Sequence, residues 1–272
     1  MKPLAARVLL TGAGGGIGQH VARELLKAGA AVMLVGRSPE RLDQQAVELA
    51  AQTGAPASRI AWREADLARV GHITRLAGEA QNWRCNVVIH NAGLPAFGAL
   101  QHQDPDQLQA VMQLNLVAPM LLTQALLGHL QQQRHAQVIC VGSALGRIGL
   151  PGFSVYSASK FGLRGFAESL RRELKDSTVK VQYLGPRSTE TPFNDASVTA
   201  YNRATGTAMD PPERVAQELL ALLQSEAAER FFGFPEAVAL RINGLAPTLL
   251  DGSFKRHRQS LPGMASSAPA AV

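Results

Sequence analysis

Tyr156 and Lys160, four residues apart in the run Tyr-Ser-Ala-Ser-Lys, form a pair that could move a proton. On a helix that spacing places both on one face, one turn from each other. A phenol titrates near ~10 and is a poor acid-base group at neutral pH, but an ammonium beside it favours the phenolate. The pair could then give a proton to a substrate oxygen, or take one from it. The same spacing also describes an ordinary helix with a solvated Lys. The functional reading therefore depends on what the rest of the chain brings to this face.

A short apolar run at 7–11 reads as a buried parallel strand. It enters Thr11-Gly12-Ala13-Gly14-Gly15-Gly16-Ile17-Gly18, and residues 19–27 follow with apolar positions at helical spacing. Strand, glycine loop and helix together make a dinucleotide-binding unit. A loop without side chains lets a pyrophosphate approach the backbone, and the helix N-terminus directs N–H groups at it. The second strand, 31–35, ends at Gly36-Arg37 with no acid nearby. An acid there would favour NAD; Arg37 instead suits the 2′-phosphate of NADP.

Further strands are expected at 59–63, 86–89, 137–141 and 179–184, alternating with helices. That alternation predicts an α/β fold built on a doubly wound parallel sheet, with ligands at the C-terminal strand ends. Arg37, Asp66, Asn91, Ser143 and Thr189 all fall at or just past such ends. Asn115 lies inside an otherwise apolar helical region at 105–133, where an amide is a poor helix former and unwelcome against a core.

Length and composition bound the alternatives. At 272 residues and 46% hydrophobic, the chain can bury one large core. Cys85 and Cys140 fall in or beside expected strands and read as small core groups of a reducing, cytoplasmic compartment. No His spacing suggests zinc, no apolar run reaches about 18 residues, and the N-terminus does not read as a signal peptide. The net charge of +6 is dispersed and aromatics are 5%, which argues against a nucleic-acid partner. A basic surface suits a phosphorylated cofactor or an anionic substrate.

Taken jointly, these landmarks resemble the short-chain dehydrogenase/reductase family. Thr11-Gly12-x-x-x-Gly16-x-Gly18, Asp66, Asn91-Ala92-Gly93, Asn115, Ser143 and Tyr156-x-x-x-Lys160 match its motifs in order, over about 7–234. The resemblance implies a Rossmann-like three-layer α/β/α domain and an NADP(H)-dependent oxidoreductase, a carbonyl reductase or alcohol dehydrogenase. It implies that Tyr156 is the acid-base residue, that Ser143 holds the same substrate oxygen, and that Lys160 lowers the Tyr156 pKa and holds the nicotinamide ribose. Asn115 would kink its helix around a water linking Lys160 to solvent. Asp66 would contact adenine with Leu67 beside it; Asn91, Ala92 and Gly93 would line the cofactor. Pro186, Thr189 and Thr191 would meet the nicotinamide end. Arg187 replaces the family's usual glycine and is read as contacting a substrate carboxylate, a cofactor phosphate or Glu190, or as a packing or solvated side chain.

The core domain is expected over 1–234, with a mobile substrate lid near 190–210. Residues 235–262 read as a basic amphipathic extension that covers an apolar pocket, packs on its own domain or a partner subunit, or lies weakly on a membrane surface. Residues 263–272 read as disordered. A hydrophobic ketone is the expected substrate: oxoacyl, steroid-like or another lipid carbonyl. The expected assembly is a homodimer, with a tetramer as the alternative. The competing functional reading is an NADPH-binding redox sensor with little turnover.

Overall fold

The computed structural model describes residues 1–233 and 243–261. Expectations for 234–242 and for the tail 263–272 lie outside the described residues. Seven strands form one parallel sheet: β1 (Arg7–Thr11), β2 (Ala31–Gly36), β3 (Ile60–Glu64), β4 (Val87–His90), β5 (Ala136–Val141), β6 (Val179–Gly185) and β7 (Glu229–Phe231). Their spatial order is β3-β2-β1-β4-β5-β6-β7, so the chain reverses direction across the sheet between β1 and β4. A crevice opens above the carboxyl ends at such a switch point.

Side-chain alternation divides the core into two layers. Val8 and Leu10 of β1 pack with Leu25, Val32, Ile89 and Leu219 on one face; Leu9 packs with Met33, Val88, Leu122 and Leu163 on the other. Both faces are covered, which is why the strands read as continuous apolar runs. Helices α1 (Gly16–Lys27), α2 (Pro39–Thr53) and α8 (Pro212–Ser225) cover the first face. The second is covered by α3 (Val70–Asn82), the helical stretch α4 (Pro105–Met112) to α5 (Ala118–Gln131), and α6 (Ser154–Glu173). A further helix, α7 (Ala196–Thr205), lies over the crevice.

Local chemistry fixes the helix ends. Ser38 accepts a hydrogen bond from the Arg41 N–H at the start of α2, Pro39 sits in the first turn, and Gly54 ends the helix at φ 67°. The expected kink at Asn115 is a single π-helical turn, Gln113–Val117, joining α4 to α5. By length and composition alone the stretch Pro105–Gln131 could cross a membrane. The sequence reading passed over this because Gln113, Asn115 and Gln124 interrupt any continuous apolar run. Here its Leu122, Leu126 and Leu130 are fully buried in the core.

The structure adds three details to the expected elements. The sheet has a seventh strand, β7, which the sequence reading left unassigned; it is three residues long and pairs with β6 from Tyr183 to Gly185. The expected lid near 190–210 contains a helix: α7 starts on Asp195, whose carboxylate accepts from the Val198 N–H, and stops at Gly206 with φ 72°. The described part of the C-terminal extension is a 3₁₀ stretch, Pro247–Phe254, followed by a short helix, Lys255–Gln259. It folds back so that Phe254 and His257 wall the crevice.

Candidate active site

The crevice narrows to a cavity of about 480 Å³ above the ends of β1, β4, β5 and β6. On one side lies the glycine loop. Gly12 has φ 64°, and a Cβ there would sit 2.7 Å from Ala92 Cα, so no other residue fits. A Cβ on Gly18 would meet the Gly12 carbonyl at 2.2 Å, and one on Gly16 would meet Thr191 at 2.6 Å. Gly14 and Gly15 are exposed. No side chain caps the N-terminus of α1 at Gly15, so its first-turn N–H groups face the crevice without a side-chain acceptor. Such a cradle fits a dinucleotide pyrophosphate.

The loop is tied to the neighbouring strand end. Thr11 Oγ1 accepts from the Asn91 and Ala92 N–H groups at 3.0 and 3.1 Å, and Asn91 Nδ2 donates to the Thr11 and Gly12 carbonyls. Asn91 therefore spends its amide on the backbone, while Gly93 leaves room for Asn115, whose Oδ1 a Gly93 Cβ would approach to 3.1 Å. Gln45, from α2, donates from Nε2 to the Ala13 carbonyl at 2.8 Å and braces the loop from outside. The sequence reading missed Gln45, because no local pattern marks a contact spanning 32 residues.

Across the cavity, β5 delivers Ser143 and α6 delivers Tyr156 and Lys160. Ser143 is buried, and its Oγ accepts from the Leu145 N–H at 3.1 Å. The Lys160 side chain is 4% exposed, and Nζ donates to the Val141 carbonyl at 3.2 Å. Asn115 is buried with both amide functions used. Oδ1 accepts from the Leu94 N–H at 2.8 Å; Nδ2 donates to the Leu94 carbonyl and to Ser159 Oγ. Ser159 in turn donates to the Tyr156 carbonyl at 2.7 Å, so Asn115 steadies the turn of α6 between Tyr156 and Lys160.

Burial holds the Lys160 ammonium pKa down, to about 8. The expected lowering of Tyr156 is overturned for the protein without cofactor. Burial pushes the phenol well above its ordinary value, and the neighbouring Ser143 hydroxyl pulls it back only in part. Lys160 Nζ stands 5.6 Å from the centre of the Tyr156 ring. At pH 7 Tyr156 is thus a neutral acid, poised to donate.

Gly12, Gly15, Gly16, Ile17, Asn91, Ala92 and Gly93 line this cavity together with Ser143, Tyr156, Lys160, Pro186, Thr189 and Thr191. Six expected site residues lie outside it. Gly14, Gly18 and Asn115 support it as described. Arg37 is exposed just past β2, and Leu67 is buried in the core past β3. Asp66 accepts from the Ala68 N–H at 3.0 Å and pairs with Arg69 at 3.4 Å. Arg37 and Asp66 thus lie past the C-terminal ends of β2 and β3, the strands next in order after β1.

The far wall is apolar. Phe97, Phe153 and Tyr201 pack ring on ring with centroids 4.8 to 5.5 Å apart, beside Ile148, Leu150 and Phe254. Tyr201 donates to the Pro151 carbonyl at 3.1 Å and meets His257 Nδ1 at 2.6 Å, joining α7 to the C-terminal segment. Arg187 lines the cavity and forks onto Asp210 at 2.8 and 2.9 Å. Asp210 also receives Arg214 at 2.8 Å, and its side chain is 2% exposed. No local signal ties Arg187 to a carboxylate 23 residues on.

The family model "short chain dehydrogenase" matches residues 6–202. Dehydrogenase/reductase SDR family member 7B of Bos taurus is 33% identical over 256 residues, covering 90% of this chain and 78% of that protein. 3-Ketodihydrosphingosine reductase of Bos taurus is 29% identical over 197 residues, covering 70% of this chain and 59% of that protein. The short-chain dehydrogenase from Sphingobium yanoikuyae in complex with NADPH has the same fold, with a TM-score of 0.77 at 24% identity and 98% of each chain covered. The strand order, the glycine cradle and the grouping of Ser143, Tyr156 and Lys160 therefore belong to a member of the short-chain dehydrogenase/reductase family, a Rossmann-fold NAD(P)-dependent oxidoreductase.

Proposed function

We propose that this enzyme interconverts an apolar ketone and its secondary alcohol with NADP(H), and that the physiological task of the site is carbonyl reduction. The carrying observation is the cavity's polarity split. Its proton-handling groups lie at one end, and its far wall carries an aromatic and aliphatic cluster bordered by polar residues that include Arg187, Asn202 and His257. An elongated apolar substrate would bury its chain against Phe97, Phe153, Tyr201 and Phe254, leaving its carbonyl at Ser143 and Tyr156. The name of one relative, 3-ketodihydrosphingosine reductase, supports a lipid ketone.

The bound nicotinamide supplies the hydride. Ser143 orients the carbonyl oxygen by donating its hydroxyl proton, while one Oγ lone pair accepts from the Leu145 N–H. Tyr156 transfers its proton to that oxygen as negative charge develops there. Lys160 is held to the strand end by the Val141 carbonyl and keeps further N–H donors for the ribose hydroxyls and the phenol oxygen. Arg37 would take the 2′-phosphate and Asp66 the adenine. The structure of a relative with NADPH supports the phosphorylated form. A homodimer through the partly exposed faces of α4–α5 and α6, where Phe161 is 42% exposed, completes the proposal.

The test is turnover of linear 2-ketones of six to fourteen carbons with NADPH and with NADH. Efficiency should rise with chain length by about threefold or more per two methylenes until the cavity is full. Tyr156→Phe should lower kcat by about 10³-fold with NADPH affinity unchanged. Ketone reduction indifferent to chain length would overturn the apolar substrate. Binding of NADPH with no ketone turnover would favour the sensor reading.

A further inference from the structure

Tyr183 lies on β6, fully buried, and its hydroxyl does not face the cavity. It reaches the backbone of Ser143. The phenol oxygen accepts from the Ser143 N–H at 3.0 Å and donates to the Ser143 carbonyl at 3.0 Å. The Lys160 carbonyl stands 3.5 Å from the same oxygen. At this strand end the neighbouring amides are already placed: Gly142 donates to the Leu184 carbonyl and Ala144 to the Pro186 carbonyl. The intervening Ser143 amide points to neither, and a buried N–H left unpaired is costly. Tyr183 satisfies it with a side chain.

The surrounding sequence is shaped to admit that ring. A Cβ on Gly142 would fall 2.0 Å from the Tyr183 ring and hydroxyl, and one on Gly146 would fall 2.1 Å from the hydroxyl. Two glycines flanking Ser143 thus make room for one tyrosine, and Phe231 of β7 packs on its ring at 5.7 Å. A phenylalanine would fill the same volume, so filling space does not account for the hydroxyl.

We propose that Tyr183 is a positioning residue for Ser143. It grips the backbone N–H and the carbonyl of that residue and sets the distance between the β5 end and the α6 turn carrying Lys160. With its amide, its carbonyl and one Oγ lone pair engaged, Ser143 is held so that its hydroxyl proton can meet the substrate oxygen. This rests on the proton-transfer role of Ser143 and Tyr156 given above.

The variant is Tyr183→Phe, read in two ways. Hydrogen exchange at the Ser143 amide, which needs no substrate, should accelerate by about tenfold or more. With NADPH and the best of the linear 2-ketones, kcat should fall about 10- to 100-fold while NADPH affinity moves less than about twofold. In a Ser143→Ala background the same substitution should cost less than about threefold, because Tyr183 acts through Ser143. An unchanged kcat, or an equal loss in both backgrounds, overturns the proposal. Should Tyr183→Phe fail to fold, 3-fluorotyrosine in place of Tyr183 weakens the acceptor without changing the fold. Unaltered amide exchange and kcat in that protein would overturn the proposal equally. Failure of the parent reading is separate: a Tyr156→Phe protein that still reduces the ketone would remove the proton-transfer role and leave the exchange result standing.

Discussion

The two ends of the crevice are built in different ways. At the cofactor end, from β1 to Gly93, the shape is made by backbone: glycines that no Cβ could replace, an uncapped helix start, and an amide network between adjacent strand ends. At the substrate end, beyond Gly185, it is made by side chains far apart in sequence: the Arg187–Asp210 fork, the Tyr201–His257 contact and a three-ring cluster. A backbone-built end presents the same cradle whatever surrounds it. A side-chain-built end can be re-shaped by single substitutions.

The strongest way to break this contrast is to remove Asp210. Its carboxylate is buried beneath two guanidinium groups, and the backbone around it zips the two ends of the 190–210 segment together: Asp210 N–H donates to the Ser188 carbonyl and Glu190 N–H to the Asp210 carbonyl. Removing the carboxylate strips Arg187, 14% exposed, of a forked acceptor while Arg214, 43% exposed, turns to water, at a cost of about 1–3 kcal/mol. Asp210→Ala should therefore lower the melting temperature markedly and reduce kcat, while NADPH affinity at the other end holds within about threefold. Loss of NADPH binding in parallel would show that the two ends are not separable. Calorimetric titration beside thermal melts decides it.

The same contrast explains what was legible beforehand. The sheet, the glycine loop, Ser143 and the Tyr156–Lys160 pair follow from local pattern, because parallel strands buried on both faces and a glycine turn leave unmistakable runs. Asn115 was visible as a polar group out of place, and it proved to mark the π-helical turn. The stretch that forms α7 reads as a mobile lid from its Thr- and Ala-rich composition, although its Asp195 cap and Gly206 stop are present in the sequence. Strand β7, with three half-buried residues, carries no alternation to detect. Gln45, Tyr183 and Asp210 act across 32, 40 and 23 residues, and nothing local announces such partners. The Tyr156 shift was expected in the wrong direction because spacing places an ammonium near the phenol and says nothing of how deeply both are buried.

Lys160 sits at the seam between the two ends and measures what burial costs. Its ammonium is held from 10.5 down to about 8, chiefly by desolvation. Between those values the unfolded chain binds a proton that the folded chain does not, so stability rises as pH goes from 8 to 10.5. Below pH 8 the folded protein carries the full penalty, at most about 3.5 kcal/mol at about 1.4 kcal/mol per pH unit. Lys160→Met should make the cofactor-free protein more stable than the parent at pH 7, with the advantage fading by pH 10.5, and should abolish turnover. Urea unfolding at the two pH values tests the sign. A less stable variant at pH 7 would mean that the Val141 hydrogen bond outweighs desolvation.

The smallest effect belongs to Arg37, and it sharpens the contrast from the opposite side. The guanidinium is exposed just past β2 and has no ion-pair partner among the described residues. Its removal therefore disturbs no packing, and the melting temperature of Arg37→Ala should stay within about one degree. If it grips the 2′-phosphate, affinity for NADPH should drop about 10- to 30-fold, or about 1–2 kcal/mol, with a smaller drop at high salt because the contact is solvent-exposed. NADH lacks that phosphate, so its affinity should be unaffected. Ketone chain-length preference should also be unaffected, because Arg37 is remote from the apolar wall. Equal weakening of NADPH and NADH would place Arg37 on a part of the dinucleotide common to both. Weakening of neither would return cofactor choice to the loop backbone, the region least open to tuning by side chains.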